Sequence, residues 1–427
     1  MLTETPATPV SSTFSSDKLA TRADIALLVC ALFLQRFSVP LVLSLDLAVA
    51  ALIFAYQFAY GRLLIQYDRL LWFLVLVLAA TSSLLLNFNR AMLTSYGLFL
   101  VIYFLFTLNH FSTEEQYKST LQGFQMLVLI LSCLAIAQFP AQLVLDGRKL
   151  IMFYGILPDF LLALPFDSGG GWNTIGTISV GGSSLIKSNG IFLVEPATMS
   201  QMAALAILIE VVEFGRPRYL ILLTLALLLA YSGTGISILL LSLPLAVLVN
   251  RKAQLPVLLI SLFALGLLAT GIIHLSAFTS RLGEFEETRA SGFIRFISPF
   301  WMAADYLKTA SPAELLFGRG PGYGYVREAF YEGASNTWFK LFLEYGLVGV
   351  FLFTCFLGSC FRRSRCPRPV IAGLMYLYLL TQNNLLTPSV VIIMVVLCTL
   401  SGPAPRRARI DDTGRFRAFL VTGSAAG

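Results

Sequence analysis

The sequence predicts an all-α polytopic membrane protein. Of its 427 residues, 57% are hydrophobic and only 12% are charged, which is outside the usual range of soluble globular domains. Apolar runs recur from Ile25 to Leu400, and each is long enough to cross a hydrocarbon core of about 30 Å. Because the runs lack the alternation of barrel strands, we expect helices.

About twelve transmembrane helices are expected. Their approximate ranges are 24–37, 40–60, 70–87, 91–109, 120–145, 197–213, 217–231, 235–249, 255–275, 337–360, 368–385 and 388–402. If the N-terminus is inside, the basic residues of every short loop on that side satisfy the positive-inside rule. The protein is therefore expected to be multi-pass, with both termini cytoplasmic.

The two ends of the chain are expected to be cytoplasmic tails. Residues 1–23 are rich in Ser and Thr and precede any apolar run, so we expect a disordered tail rather than a signal peptide. The transmembrane domain is expected to cover 24–402, followed by a basic tail over 403–427. All six cysteines lie in spans or at their cytoplasmic ends, and this placement indicates neither disulfides nor a zinc site.

Two long outer segments, at about 146–196 and 276–336, interrupt this pattern. They hold nine of the 30 basic residues. Residues 150–166 are apolar, but Pro158, Asp159 and Pro165 break the run. Another crossing here would also move every basic loop that follows to the outer side, against the positive-inside rule. We expect an interfacial or re-entrant helix there.

Arginines and aromatic residues of the second outer segment suit an anionic ligand at the membrane surface, such as a lipid-linked pyrophosphate. The residues in question are Arg289, Arg295, Arg319, Arg327, Trp301 and Tyr323. Guanidinium groups bind phosphate oxygens bidentately and remain charged. The alternative is that they are solvated charges or partners of the nearby glutamates, and the pattern alone leaves both open.

The segment GRGPGYG, residues 318–324, has four glycines. It is not followed by Lys-Ser/Thr or preceded by an apolar strand, so we do not expect a nucleotide-binding loop. A phosphate-cradling backbone and a tight turn both remain open.

Three further ionisable residues are candidates for the site. Glu195 precedes Pro196 at the start of a helix, where a carboxylate either complements the helix dipole or acts as a general base. Glu344 lies within an apolar helix and is either functional or paired for structure. Lys187 either binds the same anion as the arginines or is an ordinary loop lysine.

Residues 189–196, NGIFLVEP, the G-x-G-x-G turn, and SNTWFKLFLEYGLVG from Ser335 to Gly349 together resemble the superfamily of Wzy-type polysaccharide polymerases and O-antigen ligases. The match covers about 190–350. The resemblance implies a GT-C-like membrane glycosyltransferase that uses a glycan on undecaprenyl pyrophosphate at the periplasmic face, without metal or nucleotide cofactor.

The resemblance also implies roles for individual residues. Lys187 stands where the family has an arginine, and Arg289 or Arg295 matches the arginine before the turn. Ser335 stands where ligases carry a catalytic histidine, so the base is expected elsewhere. The expected catalytic residues are Glu195, Arg289, Arg295 and Glu344. The expected substrate-binding residues are Lys187, Asn189, Arg319, Tyr323, Arg327, Asn336, Trp301 and Trp172.

The expected function is that of a polymerase, for instance of an exopolysaccharide such as xanthan, in the bacterial inner membrane. Its expected partners are the lipid-linked donor and acceptor, membrane lipids, a chain-length regulator and export machinery, but no nucleic acid. One alternative is a ligase that transfers finished polymer to lipid A core. The other is a transporter, which would have discontinuous helices and inverted repeats, and the sequence predicts neither.

Overall fold

A computed structural model provides the structure of most of the chain. It describes residues 13–39, 43–89, 91–142, 144–145, 161, 177–180, 183–270, 283, 285–286, 291–323, 336–382 and 385–402. Most of them are helical, as predicted. The predicted interfacial helix over 150–166 lies outside the described residues except for residue 161.

The helices follow the predicted apolar runs. They are α1 (Thr13–Phe33), α2 (Leu45–Ala59), α3 (Tyr67–Leu86), α4 (Leu93–Phe104), α5 (Glu114–Ala141), α6 (Pro196–Ile209), α7 (Pro217–Leu229), α8 (Gly233–Val249), α9 (Gln254–Ala269), α10 (Ser291–Phe296), α11 (Ser298–Thr309), α12 (Pro312–Phe317), α13 (Thr337–Phe361), α14 (Arg368–Tyr376) and α15 (Pro388–Met394). Short 3-10 turns at Leu105–Thr107 and Arg251–Ala253 and π turns at Glu210–Phe214, Leu377–Thr381 and Val395–Leu400 extend α4, α9, α6, α14 and α15.

Short strands join the loops. They are β1 (Ser38–Val39), β2 (Leu43–Ser44), β3 (Leu64–Ile65), β4 (Leu108–Phe111), β5 (Thr177–Val180), β6 (Ser183–Ile186) and β7 (Ser401–Gly402). β1 pairs with β2, β5 pairs with β6, and β3, β4 and β7 form one sheet in that order. The last sheet has antiparallel β3–β4 and parallel β4–β7 pairing.

Five helical stretches among the described residues are long and apolar enough to cross a membrane. They are Tyr67–Leu86, Glu114–Ala141, Pro196–Phe214, Arg251–Ala269 and Thr337–Phe361. Further apolar helices are shorter, between 10 and 17 residues. The protein is therefore membrane-embedded, as predicted. α1 begins at Thr13, so residues 13–23, expected to belong to a disordered tail, are helical.

The second predicted outer segment carries short helices. α10, α11 and α12 follow one another there, and α12 begins with a capping box in which Ser311 and Glu314 exchange side-chain and backbone hydrogen bonds. Proline stands in the first turn of both α11 and α12, where its missing N–H is tolerated. These signals start each helix without a long apolar run.

One end of the molecule, which we call the sheet end, is organised by β3, β4 and β7. Arg69 is buried there, and its Nη1 donates to the carbonyls of Phe106, Leu108 and Thr399 at 3.3, 3.4 and 2.8 Å. Buried helix ends need such partners because their last carbonyls have none within the helix. Arg69 therefore holds the ends of α4 and α15 together.

The opposite end, which we call the site end, is centred on the start of α6. Nearly every residue of α6 is buried, and α5, α7, α8 and α14 pack around it. Gly235 of α8 lies so close to Ser200 of α6 that a Cβ at position 235 would overlap it. This central, tightly held helix fixes the position of Glu195, its N-cap residue.

α13 is broken in the middle, and the glycine-rich loop fills the break. Gly346 has φ +67° and ψ −169°. The N–H groups of Arg319 and Gly320 donate to the carbonyls of Leu343 and Glu344 at 2.9 and 3.1 Å. The carbonyl of Glu344 also accepts from Ser83 Oγ at 2.7 Å. Our expectation of no discontinuous helix was therefore wrong, because a single glycine breaks this one without interrupting its apolar pattern.

The loop fits into the break only because both the loop and the helix have glycine at the contact, Gly318 in the loop and Gly346 in α13. A Cβ at Gly318 would overlap the backbone of Glu344, and a Cβ at Gly346 would overlap the carbonyl of Leu316. Both residues also have positive φ, which side chains disfavour. The sequence left two functions open for GRGPGYG, a phosphate-binding backbone and a tight turn. The N–H groups of Arg319 and Gly320 already donate to helix carbonyls, so they are not available to phosphate. The structure therefore favours the turn.

We expect Gly346→Ala to destabilise the protein by about 2–5 kcal/mol, the sum of left-handed strain and overpacking. Unfolding of the purified protein in mixed micelles, followed as denaturing detergent is added, measures this loss. Gly215→Ala is the control, since Gly215 has φ +69° but a Cβ added there would meet nothing within 4 Å; strain alone should lower its stability by about 1–2 kcal/mol. Equal stabilities of the two variants would contradict the docking of the loop.

Candidate active site

A buried ion pair joins the two predicted outer segments at the site end. Arg295 Nη2 of α10 lies 3.0 Å from Glu195 Oε2 and donates a hydrogen bond to it. Both residues are buried. The Glu195 side chain makes no capping hydrogen bond to α6, so its carboxylate faces the arginine. The structure thus brings together two of the predicted catalytic residues.

Asn189 organises the loop that leads to Glu195. Its Oδ1 accepts from Gln138 Nε2 and from the N–H of Ile191 at 3.0 and 3.1 Å, and its Nδ2 donates to the carbonyl of Leu193 at 3.0 Å. Gly190 and Ile191 both have positive φ, a strained turn that these bonds hold in place. Asn189 thus supports the loop, and its predicted contact with substrate stays a prediction.

Arg36 helps to position Glu195, and the sequence did not reveal this role. It follows α1 and is buried, and its Nε and Nη2 donate to the carbonyls of Leu193 and Val194 at 2.9 and 3.0 Å. A guanidinium stays charged in proteins, so both are charge-assisted hydrogen bonds. In the sequence it is an isolated arginine at a span end, and no local motif connects it to a loop more than 150 residues away.

Arg319 lies in a separate cluster of the second segment. Its Nε is 3.3 Å from Glu314 Oε1, and its guanidinium carbon lies 4.8 Å from the ring centre of Tyr306 and 5.4 Å from that of Tyr323. Burial raises the pKa of Tyr306 to about 12, so its hydroxyl stays protonated and donates to the carbonyl of Glu314. Arg319 and Tyr323, both predicted to bind substrate, are thus in contact with each other.

Asn336 connects the start of α13 to the ion pair. It is the N-cap residue of α13, and its Nδ2 donates to the backbone carbonyl of Arg295 at 3.1 Å. Trp301, one turn into α11, is half exposed and packs edge-on against Phe293, with ring centres 5.3 Å apart. The beginnings of α11 and α13 therefore adjoin the backbone of Arg295.

Glu344 is fully buried near the break in α13. The Nζ of Lys340, one turn earlier, lies 4.0 Å from Glu344 Oε1. Since a buried carboxylate in an apolar helix needs a cation nearby, this geometry favours the paired, structural alternative that the sequence left open. No hydrogen bond or ion pair between described residues joins Glu344 to Glu195 or Arg295.

The remaining predicted residues are not all placed. Lys187 is buried directly after β6, and within the described chain no hydrogen bond or ion pair links it to Glu195 or Arg295. Arg289, Arg327 and Trp172, together with Ser335, lie outside the described residues. In the part of the chain that the structure describes, no group of three His, Cys, Asp or Glu residues could hold a metal ion.

Comparison with known proteins identifies one family. The model of a family described as WcaD colanic acid polymerase matches residues 23–401. This range includes α2 to α15 and every candidate residue named above. A search of curated proteins finds no match.

A double-mutant cycle tests the ion pair. Glu195→Ala or Arg295→Ala leaves an uncompensated buried charge, and we expect each to lower stability by about 3–5 kcal/mol. The double variant should lose clearly less than the sum, as measured by detergent-induced unfolding. Asp68 and Arg363, an exposed pair at 3.4 Å, form the control cycle, where we expect a coupling below about 1 kcal/mol. Additive losses at Glu195 and Arg295 would contradict a direct interaction.

Proposed function

The chain belongs to the WcaD colanic acid polymerase family, and on that premise we propose that this polysaccharide polymerase joins repeat units carried on undecaprenyl pyrophosphate. The observation that carries the proposal is the buried pair of Glu195 and Arg295. It places a carboxylate and a guanidinium side by side in the interior of a membrane-embedded protein. The carboxylate is suited to accept a proton and the guanidinium to bind phosphate.

We place the site end on the periplasmic face of a bacterial inner membrane, with both termini cytoplasmic. In this arrangement α1 to α9 and α13 to α15, twelve helices, each cross the bilayer within a transmembrane domain over 24–402. Contacts between loops support this topology, because loops expected on the same side of the membrane meet at the site end. Arg36 binds the loop before Glu195, and the N–H of Met92 donates to the carbonyl of Pro321. β3, β4 and β7 meet at the other end, as alternating crossings require.

Arg295 would bind the pyrophosphate of the donor lipid. In the structure its guanidinium is held by Glu195, so the incoming pyrophosphate would replace the carboxylate on the arginine. Arg319 and Lys187 would add positive charge, as would Arg289 and Arg327. Charge that develops on the leaving pyrophosphate is then stabilised by groups already in place, which is the electrostatic effect that dominates many enzymes.

Glu195, released from Arg295, would act as the general base. The non-reducing hydroxyl of the acceptor repeat unit forms a bond to the anomeric carbon of the donor sugar. The bond from that carbon to the pyrophosphate breaks, the electron pair leaves with the pyrophosphate, and the hydroxyl proton passes to the Glu195 carboxylate. A single displacement inverts the anomeric centre and needs no metal. General base catalysis typically contributes about 10²–10⁴ in rate.

The alternatives differ in what they produce. A ligase would transfer finished polymer to lipid A core. A transporter would move the glycan without forming a bond, and broken helices are common in transporters. Here the carbonyls freed by the break in α13 accept hydrogen bonds from Arg319, Gly320 and Ser83, so protein groups occupy the positions that would coordinate an ion or substrate.

Purified protein incubated with lipid-linked repeat units alone, without an energy source, should produce a ladder of polymer lengths. Electrophoresis of the released glycans measures it. A ladder supports the polymerase. Its absence, combined with transfer of preformed polymer to lipid A core, would establish the ligase, and movement of unmodified lipid-linked units across a vesicle membrane would establish the transporter.

We expect Arg295→Ala and Arg289→Ala to abolish the ladder while the protein still reaches the membrane, because each removes charge that stabilises the leaving group. Arg363→Ala is the matched control, since Arg363 is exposed at the sheet end and should leave polymer formation unchanged. Normal polymer length in both Arg295→Ala and Arg289→Ala would overturn the assignment of the anion site.

A further inference from the structure

Three buried polar atoms at one corner of the site have no hydrogen-bond partner among the described residues. They are Ser298 Oγ, Asn336 Oδ1 and Trp338 Nε1. Ser298 and Asn336 are each about 1% exposed. Buried polar groups in native proteins are nearly always hydrogen-bonded, and an exception requires an explanation.

These atoms lie where the first turns of α11 and α13 meet. The rings of Phe300 and Trp338 pack with centres 5.3 Å apart, which joins the two helix starts. Asn336 Nδ2 is bound to the carbonyl of Arg295, three residues before Ser298. We call the group formed by Ser298, Phe300, Asn336 and Trp338 the helix-start corner. It adjoins Arg295 through the backbone of that residue, while the guanidinium reaches Glu195.

The chemistry of the free atoms defines the ligand. Asn336 Oδ1 can only accept a hydrogen bond, Trp338 Nε1 can only donate one, and Ser298 Oγ can do both. A phosphate oxygen could not satisfy Asn336 Oδ1, because it has no hydrogen to donate. A ligand that satisfies the corner must offer donors and acceptors together, as the hydroxyl groups of a sugar do.

The aromatic side chains support the same ligand class. Phe300 is 59% exposed and Trp301 is 50% exposed, although both lie beside a buried corner. Aromatic rings with one open side offer an apolar face that a sugar ring can cover, while neutral hydrogen-bonding groups at their edge fix its orientation. The corner thus combines apolar faces with neutral polar atoms.

We propose that the helix-start corner is a sugar subsite that holds the sugar directly attached to the pyrophosphate of the lipid donor. The pyrophosphate and this sugar are neighbours in the substrate, and Arg295 and the corner are neighbours in the protein. The inference rests on the proposed function for the identity of the lipid. Ser298 and Trp338 would then be specificity-determining residues that the sequence did not single out.

Two variants, Ser298→Ala and Trp338→Phe, each remove one of the three free atoms. Full-length protein in nanodiscs would be titrated with two probes: undecaprenyl pyrophosphate, and the lipid-linked repeat unit extracted from cells that lack this protein. We expect each variant to weaken binding of the sugar-bearing lipid about tenfold, the loss of one hydrogen bond. Binding of undecaprenyl pyrophosphate should stay unchanged.

Ser242→Ala is the matched control. Ser242 Oγ in α8 is also buried without a hydrogen-bond partner among the described residues, but it lies away from the corner and should leave both affinities unchanged. Thermal stability without ligand should not fall in Ser298→Ala or Ser242→Ala, because removing an unsatisfied polar group is neutral or stabilising. Trp338→Phe also shortens a packed ring, so its unliganded stability is measured alongside its affinities.

Equal weakening for both probes would overturn the proposal, because the corner would then support the anion site rather than a sugar. Unchanged binding of both probes would also overturn it and leave water as the occupant. The proposed function can fail separately: selective loss of sugar binding together with no polymer ladder would retain the subsite and reject the polymerase.

Discussion

The insertion of the glycine-rich loop into the break of α13 is the constraint on which the site end depends. A membrane-embedded helix cannot leave backbone carbonyls without partners, because no water is present to satisfy them. Gly346 creates such carbonyls, and the N–H groups of Arg319 and Gly320 satisfy them. Since Gly318 and Gly346 approach too closely for a Cβ on either, the loop has little freedom. Arg319 and its aromatic neighbours are thereby fixed to α13, the helix that Asn336 caps.

A second set of contacts fixes the buried ion pair of Glu195 and Arg295. Arg36 and Asn189 hold the loop before Glu195, and Asn336 holds the backbone of Arg295. The first two contacts hold the loop that leads into α6, and the third holds the end of α10 against the start of α13. A buried ion pair is stable only when its geometry is well defined, because both charges lose water. The supporting contacts supply that definition and keep the carboxylate and the guanidinium together.

The sequence predicts much of the fold because membrane helices leave a local signal. Apolar runs located α2 to α9 and α13 to α15 closely, and the motif from Asn189 to Pro196 located the start of α6. The break at Gly346 was not predictable, since one glycine in an apolar run carries no sign of its φ. Arg36 was missed because its partners are backbone carbonyls far along the chain. The pairing of Glu195 with Arg295 likewise depends on how two distant loops meet, although both residues were candidates.

In the proposed mechanism, pyrophosphate replaces Glu195 on Arg295 and so frees the base. The most direct test is the structure of the protein in nanodiscs with a bound lipid-linked repeat unit, determined by electron cryomicroscopy. We expect phosphate oxygens on the Arg295 guanidinium, and a Glu195 carboxylate that has left its 3.0 Å contact and faces an acceptor hydroxyl. An intact ion pair with the pyrophosphate bound elsewhere would contradict it.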